Sequence, residues 1–179
     1  AAAAAGGDVT ITGAIPTHME ALSAKLLEMG VYVHDEDDRI RIRSNRKMRP
    51  VNVKTQVYPG YPTDLQQPIT ALLTMARGSS VITETIYEAR YKYVEELRRM
   101  GANIRVIDRV AIVDGVGSLT GCPVTASDLR AGAALIVAGL MAEGITEISN
   151  VKYIARGYER IDEKLRRLGA HVERIRLKE

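Results

Sequence analysis

The sequence predicts an α/β fold assembled from three βαβαββ repeats arranged about a pseudo-threefold axis. Three observations point there. The first is a recurring helix–glycine–strand segment: AKLLEMGVYV (24–33), EELRRMGANI (95–104) and EKLRRLGAHV (163–172). Their glycines, Gly30, Gly101 and Gly169, recur at steps of about 70 residues. Each follows apolar residues at helical spacing, where a helix end favours the residue that enters the left-handed region most easily. The second is an upstream glycine triplet, Gly7, Gly78 and Gly144, each closing an alanine- or leucine-rich helix and opening a short strand (DVTIT, SSVITET, ITEIS). The third is a repeated helix start, TDLQQPITALL (63–73) and SDLRAGAALIV (127–137), each after a β-like stretch, VNVKTQVY (51–58) and CPVTA (122–126).

One unit therefore reads strand, helix, strand, helix, strand, strand, with right-handed crossovers between parallel strands. The closing hairpins are VYVHDEDDRIRIR (31–43) and NIRVIDRVAIVDG (103–115), whose apolar and polar residues alternate. The units span about 1–48, 49–118 and 119–179 of a single domain. The middle copy is complete. The first opens with AAAAAGG (1–7), read as the end of a helix closed by glycine, so it lacks its opening strand and the chain is expected to begin inside an element. The third lacks its last strand. Alanine-rich inner helices should pack around a shared core, with small sheets outside. Apolar surface on the shortened first helix would favour self-association.

Composition agrees with a globular chain. Of 179 residues, 46% are hydrophobic and 26% charged, which excludes intrinsic disorder. Phe and Trp are absent, so Leu, Ile, Val, Ala and Met must fill the core, with Tyr as the only aromatic. The formal charge of +3 suits small anions as well as nucleic acid. The longest apolar run, Ala131 to Ala142, follows Arg130 and contains Gly132 and Gly139. It reads as a buried helix, and no membrane partner is expected. One cysteine, Cys122, excludes an internal disulfide and is compatible with the cytoplasm; it is read as structural. His18, His34 and His171 lack metal-ligand spacing, and neither a metal nor a cofactor is expected.

The candidate site comes from residues that break local rules. Arg90, Arg130 and Arg156 each fall near a predicted helix N-terminus, where a cation opposes the dipole by roughly 0.3–1 kcal/mol. Arg90 and Arg156 hold the same repeat position, twelve residues after Gly78 and Gly144. Repeat positions that converge on the axis would turn helix ends and guanidinium groups into an anion trap. The competing reading pairs them locally with Glu88, Glu159 or Asp128. Asp64 and Asp128, with Thr63 and Ser127, are good N-caps. Thr63 can cap in place of Asp64, which also follows the stiff loop Tyr58-Pro59-Gly60-Tyr61-Pro62. A carboxylate beside an anion trap suits taking a proton from a hydroxyl. The basic run RIRIRSNRKMR (39–49) reads as a strand with one solvated basic face; it has no interleaved aromatics, so nucleic acid is not the expected partner.

YPGYPTDLQ (58–66), ITETIYEAR (82–90), ASDLRAGAALIVAGL (126–140) and RGYERIDEKLRRLGA (156–170) resemble the UDP-N-acetylglucosamine enolpyruvyl transferases, over nearly the whole chain. That resemblance implies one domain of a two-domain "inside-out" α/β barrel and cytoplasmic bacterial chemistry opening peptidoglycan synthesis. The reaction moves the enolpyruvyl group of phosphoenolpyruvate to the 3-hydroxyl of UDP-N-acetylglucosamine and releases phosphate. It implies catalytic roles for Asp64, Asp128 and Arg156. Asp64 would bind the sugar 3-hydroxyl and take its proton, supported by Thr63. Ile86 would touch the sugar nucleotide through its backbone. Arg130 and Arg156 would hold the phosphoenolpyruvate carboxylate, Arg90 would enter on domain closure, and Asp128 would lie beside the reacting atoms. Two departures stand out: YEAR carries Tyr87 and Ala89 where the family commonly has FENR, and the family's mobile-loop general acid, early lysine and most uridine contacts are absent, so this chain alone is expected to be inactive. Alternatives are a shikimate-pathway enolpyruvyl transferase domain, a non-catalytic RNA-binding βαβαββ module, and a regulatory paralogue.

Overall fold

The computed structural model describes residues 1–175. In the first unit α1 (Ala2–Ala5) leads into β1 (Gly7–Thr12), a 3-10 turn (Pro16–Met19), α2 (Glu20–Glu28) and the hairpin β2 (Tyr32–Glu36) and β3 (Arg39–Ser44). The second runs β4 (Val53–Lys54), a 3-10 turn (Thr63–Leu65), α3 (Gln66–Leu73), β5 (Ser79–Thr83), α4 (Val94–Arg99), β6 (Asn103–Ile107) and β7 (Val110–Asp114). The third has β8 (Pro123–Thr125), α5 (Leu129–Gly139), β9 (Glu147–Ser149), α6 (Lys152–Ala155) and α7 (Ile161–Arg167).

Pairing repeats as the sequence does. The second unit orders its strands β4-β5-β7-β6, and the first, without an opening strand, orders them β1-β3-β2. β5 pairs antiparallel with β7 as β1 does with β3, while the crossovers through α3 and α5 make β4–β5 and β8–β9 parallel. All six repeated glycines have φ between 85° and 136°, where a side chain would be strained. Gly30, Gly101 and Gly169 directly follow the C-caps of α2, α4 and α7, whereas Gly78 and Gly144 lie beyond the C-caps Thr74 and Leu140 of α3 and α5, closer to the strands that follow.

The four-stranded sheet exposes one face and buries the other, and β3 of the first sheet alternates in the same way. On β3, Arg39, Arg41 and Arg43 point out and Ile40 points in. Inside, α3 packs on α5, and α1 on α5 and β3. Ala71, Ala131, Ala134 and Ala138 are buried there, because small side chains allow close helix approach. Gly132 is obligatory in that packing: a Cβ on it would lie 2.4 Å from Ile154 Cγ1 of α6.

Two expectations change. Only Val53 and Lys54 of VNVKTQVY form a strand, because the chain then folds back, with Gln56 N–H donating to Tyr61 O (2.9 Å) and Gly60 N–H to Val57 O (2.8 Å). The strand expected at His171–Val172 is absent from the described residues; the rest of that segment, 176–179, lies outside them. In the other units this strand pairs with the unit's last strand, and no such partner exists among the described residues. The first helix buries Ala3 and Ala4 against β3 and α5 and leaves Ala5 exposed. The basic run keeps the one solvated basic face expected of it, with Arg39, Arg41 and Arg43 exposed on β3. Arg41 pairs with Asp8 (2.6 and 2.8 Å), and Arg46 donates to the Ala5 and Leu140 carbonyls (3.0 Å each), closing the C-terminal ends of α1 and α5.

Candidate functional site

Asp64 lies on the 3-10 turn that precedes α3. Its Oδ1 accepts from Arg90 Nη2 (2.8 Å) and its Oδ2 from Arg130 Nη2 (2.7 Å). Arg90 comes from the turn ahead of α4 in the same unit; Arg130 is the second residue of α5 in the next. Two repeats thus meet on one carboxylate. Arg130 Nη1 also donates to Tyr158 Oη (3.2 Å), and the Arg90 guanidinium sits 4.7 Å above the Tyr87 ring. Arg90 Nε is buried without a hydrogen-bond partner among the described residues.

The exposures are unequal. The Arg90 side chain is 18% exposed and that of Asp64 52%, so an anchored cation holds an open carboxylate. The hydrogen bond and charge of Arg130, with the charge of Arg90, hold the Asp64 carboxyl below the usual carboxylate range against the opposing effect of partial burial. Asp64 in turn raises Arg130 further.

None of the local pairings that would explain these arginines as surface residues occurs. Glu88 pairs with Arg109 (2.7 Å), and Glu159 with Lys164 (3.5 Å). Asp128 caps α5: its Oδ1 accepts from the backbone N–H groups of Arg130 (2.8 Å) and Ala131 (2.9 Å), and its Oδ2 from Ser127 Oγ (3.1 Å).

Two predicted site residues, Thr63 and Arg156, sit differently from expectation. Thr63 caps no helix; its hydroxyl donates to Glu84 Oε2 (2.8 Å). Arg156 lies at the C-terminal end of α6, where a cation agrees with the dipole, rather than near an N-terminus. It is exposed and forms no ion pair among the described residues. Its neighbour Gly157 packs on α5, since an added Cβ would fall 2.7 Å from Leu129 Cδ2, so Arg156 flanks the end of α5 that carries Arg130. Ile86 is partly exposed, but its backbone N–H is already engaged by Glu84 Oε1 (2.8 Å).

Sequence reasoning missed Glu84, Tyr158 and the stacking of Tyr87. Glu84 is 1% exposed. A glutamate directly after a buried strand and between two threonines, in TET (83–85), was the available signal. Tyr158 lay inside the quoted RGYER (156–160) with nothing local to mark it. Among the described residues no His, Cys, Asp or Glu group is arranged to hold a metal ion, and no helix is long and apolar enough to cross a membrane.

The chain is 57% identical over 98% of its length to "UDP-N-acetylglucosamine 1-carboxyvinyltransferase 3" of Caldanaerobacter subterraneus subsp. tengcongensis, covering 42% of that protein. It is 56% identical over 99% of its length to "UDP-N-acetylglucosamine 1-carboxyvinyltransferase 2" of Bacillus subtilis, again covering 42%. It spans about two fifths of the length of the curated relatives it matches. The crystal structure of the enolpyruvyl transferase NikO from Streptomyces tendae superposes with a TM-score of 0.85 at 30% identity, covering 95% of this chain and 42% of that one. An EPSP synthase from Acinetobacter baumannii shares the fold, with a TM-score of 0.62 at 19% identity over 82% of this chain and 36% of that one. Residues 1–165 match the family model of EPSP synthase (3-phosphoshikimate 1-carboxyvinyltransferase), and the chain belongs to that enolpyruvyl transferase family.

Proposed function

We propose that this chain forms one wall of the active site of a UDP-N-acetylglucosamine enolpyruvyl transferase, the rest of the cleft being supplied by residues outside these 179. The observation that carries the reading is the Asp64 carboxylate held between guanidinium groups from two repeats (2.8 and 2.7 Å). The names of relatives at 57% and 56% identity support the sugar-nucleotide substrate over the shikimate one.

In this reading Arg90 and Arg130, flanked by Arg156, take the charged groups of phosphoenolpyruvate. A guanidinium suits them because its planar donor fork matches carboxylate and phosphate oxygens. The enolpyruvyl carbon bonds to the sugar 3-oxygen, the bond to the phosphate oxygen breaks, and phosphate leaves. Asp64 accepts the hydroxyl proton. Its depressed pKa keeps it ionised at neutral pH, but two cations make it a poor base until the incoming anion competes for them. Thr63 supports Asp64 from behind rather than by touching substrate, since its hydroxyl is turned to Glu84. Contact with the sugar nucleotide at Ile86 falls to groups other than its engaged N–H. Asp128 orients Arg130 by capping its helix.

The test is a phosphate-release assay with phosphoenolpyruvate and UDP-N-acetylglucosamine. The 179-residue chain alone should release none, and a longer protein containing it should release phosphate only with both substrates. Release by the chain alone at a rate near that of an intact relative would overturn the division of the site. Release driven by shikimate 3-phosphate in place of the sugar nucleotide would overturn the substrate.

A further inference from the structure

Glu84 is a buried carboxylate that no step above uses. It directly follows β5, where its backbone N–H donates to Arg109 O (2.8 Å). Oε1 accepts from Thr55 Oγ1 (2.9 Å) and from the backbone N–H groups of Ile86 (2.8 Å) and Tyr87 (3.1 Å); Oε2 accepts from Thr63 Oγ1 (2.8 Å). Four donors on two oxygens match the acceptor capacity of a carboxylate. Thr55 Oγ1 in turn accepts from Thr85 N–H (2.8 Å), closing the network on itself.

The donors are not a random set. Thr63 is the residue before Asp64. Tyr87 carries the ring beneath the Arg90 guanidinium (4.7 Å). One side chain therefore pins both the loop that presents the acid and the loop that presents its cation, and Asp64 and Arg90 meet at 2.8 Å across the join. Nothing else among the described hydrogen bonds ties the Thr63 side chain down. We infer that Glu84 is a positioning residue for the proton acceptor, fixing Asp64 relative to Arg90 through Thr63 and the 86–87 backbone without touching substrate. The claim that this matters for turnover rests on the transferase reading; the claim that Glu84 fixes the Asp64–Arg90 pair does not.

The two are separable by experiment. In the 179-residue chain, the Asp64 carboxyl is titrated by carbon-13 NMR and each variant's melting point is measured alongside. The native carboxyl should titrate below the ordinary aspartate value of about 3.9. Thr63→Val and Glu84→Ala should move it towards that value. Glu84→Gln should leave it low, because the amide oxygen can take the place of Oε1 towards the 86–87 backbone while its NH2 donates to Thr63 Oγ1, which can also accept. A lower melting point with an unmoved Asp64 titration in Thr63→Val overturns the inference, and that variant decides alone where Glu84→Ala does not fold. In a longer, active protein containing this chain, Thr63→Val and Glu84→Ala should lower kcat about 100-fold with a much smaller change in KM, as for a misplaced reacting group, and Glu84→Gln should recover most of it. A titration moved in these variants, together with a longer native protein that never transfers enolpyruvyl, supports the positioning role and refutes the transferase reading alone.

Discussion

Replacing Asp64 by asparagine should make this chain bind anions more tightly. Without ligand, each Asp64 oxygen holds one guanidinium, at 2.8 and 2.7 Å. An incoming anion must displace both contacts. The asparagine would keep the size of the side chain and remove its charge. Pairs of this kind contribute about 0.2–1 kcal/mol each when one partner is half-exposed to water, as Asp64 is, so the two together oppose binding by about 0.4–2 kcal/mol. At ~1.4 kcal/mol per tenfold, the variant should bind phosphoenolpyruvate roughly 2- to 30-fold more tightly. Affinity for one wall of a cleft should be weak, so the assay is a nitrogen-15 NMR titration following the Arg90 and Arg130 regions at low ionic strength. Added salt should shrink the gain, because the carboxylate is open to solvent. In the native chain the same ligand should raise the Asp64 titration as it draws the guanidiniums away. Equal or weaker affinity in Asp64→Asn would refute the idea that Asp64 and the ligand compete for the same cations. Loss of transfer in the longer protein, alongside tighter anion binding by the chain, is the combination this geometry demands.

The same carboxylate sets a pH dependence. Its folded pKa is depressed below the unfolded value of about 3.9, so its stabilisation is fully present above that pH and is lost as pH falls through the folded value. Denaturant melts should show the native chain more stable than Asp64→Asn by roughly 0.4–2 kcal/mol at neutral pH, with the gap closing below about pH 4; a gap that persists in strong acid would contradict the assignment. Ala89 has φ 51°, a left-handed conformation that costs a residue with a Cβ about 1–2 kcal/mol. Ala89→Asn should recover about 0.5–1 kcal/mol and raise Tm by about 1–4 °C; an unchanged or lower Tm would show that the backbone there is not strained. Gly132→Ala puts a Cβ 2.4 Å from Ile154 Cγ1 and should lower stability by about 1–2 kcal/mol after the helix propensity of alanine is credited. Adding Ile154→Val should not relieve it, because valine keeps the Cγ1 atom, whereas Ile154→Ala should.

The topology was open to reading because the repeat states each element more than once. Glycine at a helix end is weak alone, but Gly30, Gly101 and Gly169 at matching positions, all with positive φ, locate the ends of α2, α4 and α7, while Gly78 and Gly144 mark the approach to the next strand. The arginines were readable for a related reason: Arg130 sits two residues into α5, where the dipole gives it no local support. The same rule misplaced Arg156, because α6 and α7 are separate and the residue belongs to the end of one rather than the start of the other. Glu84 and Tyr158 were hidden for a physical reason. Their partners lie 21 and 28 residues away, at Thr63 and Arg130, and the type of a buried polar residue does not say which distant loop will satisfy it.

Asp64 and Asp128 occupy the same position in consecutive repeats, yet one caps its helix and the other faces two arginines. The cause is four residues downstream. Gly132 donates its N–H to Asp128 O (3.0 Å), the first bond of a helix capped by Asp128. The matching residue in the second repeat is Pro68, which has no N–H to give and whose ring would press on the carbonyl four residues back. A helix capped by Asp64 would forfeit its first bond, so α3 begins at Gln66 instead, where Pro68 is its third residue and a missing N–H costs nothing. The intervening residues take a 3-10 turn, with Gln66 N–H donating to Thr63 O, and the Asp64 side chain is released from capping. Arg130 gains the opposite property: the Asp128 cap that Pro68 denies to Asp64 holds the α5 end firmly beneath it. One repeat thus frees an acid and the next anchors a base-holding cation. A site that uses both at a single point needs the repeat to have diverged at this proline and this glycine.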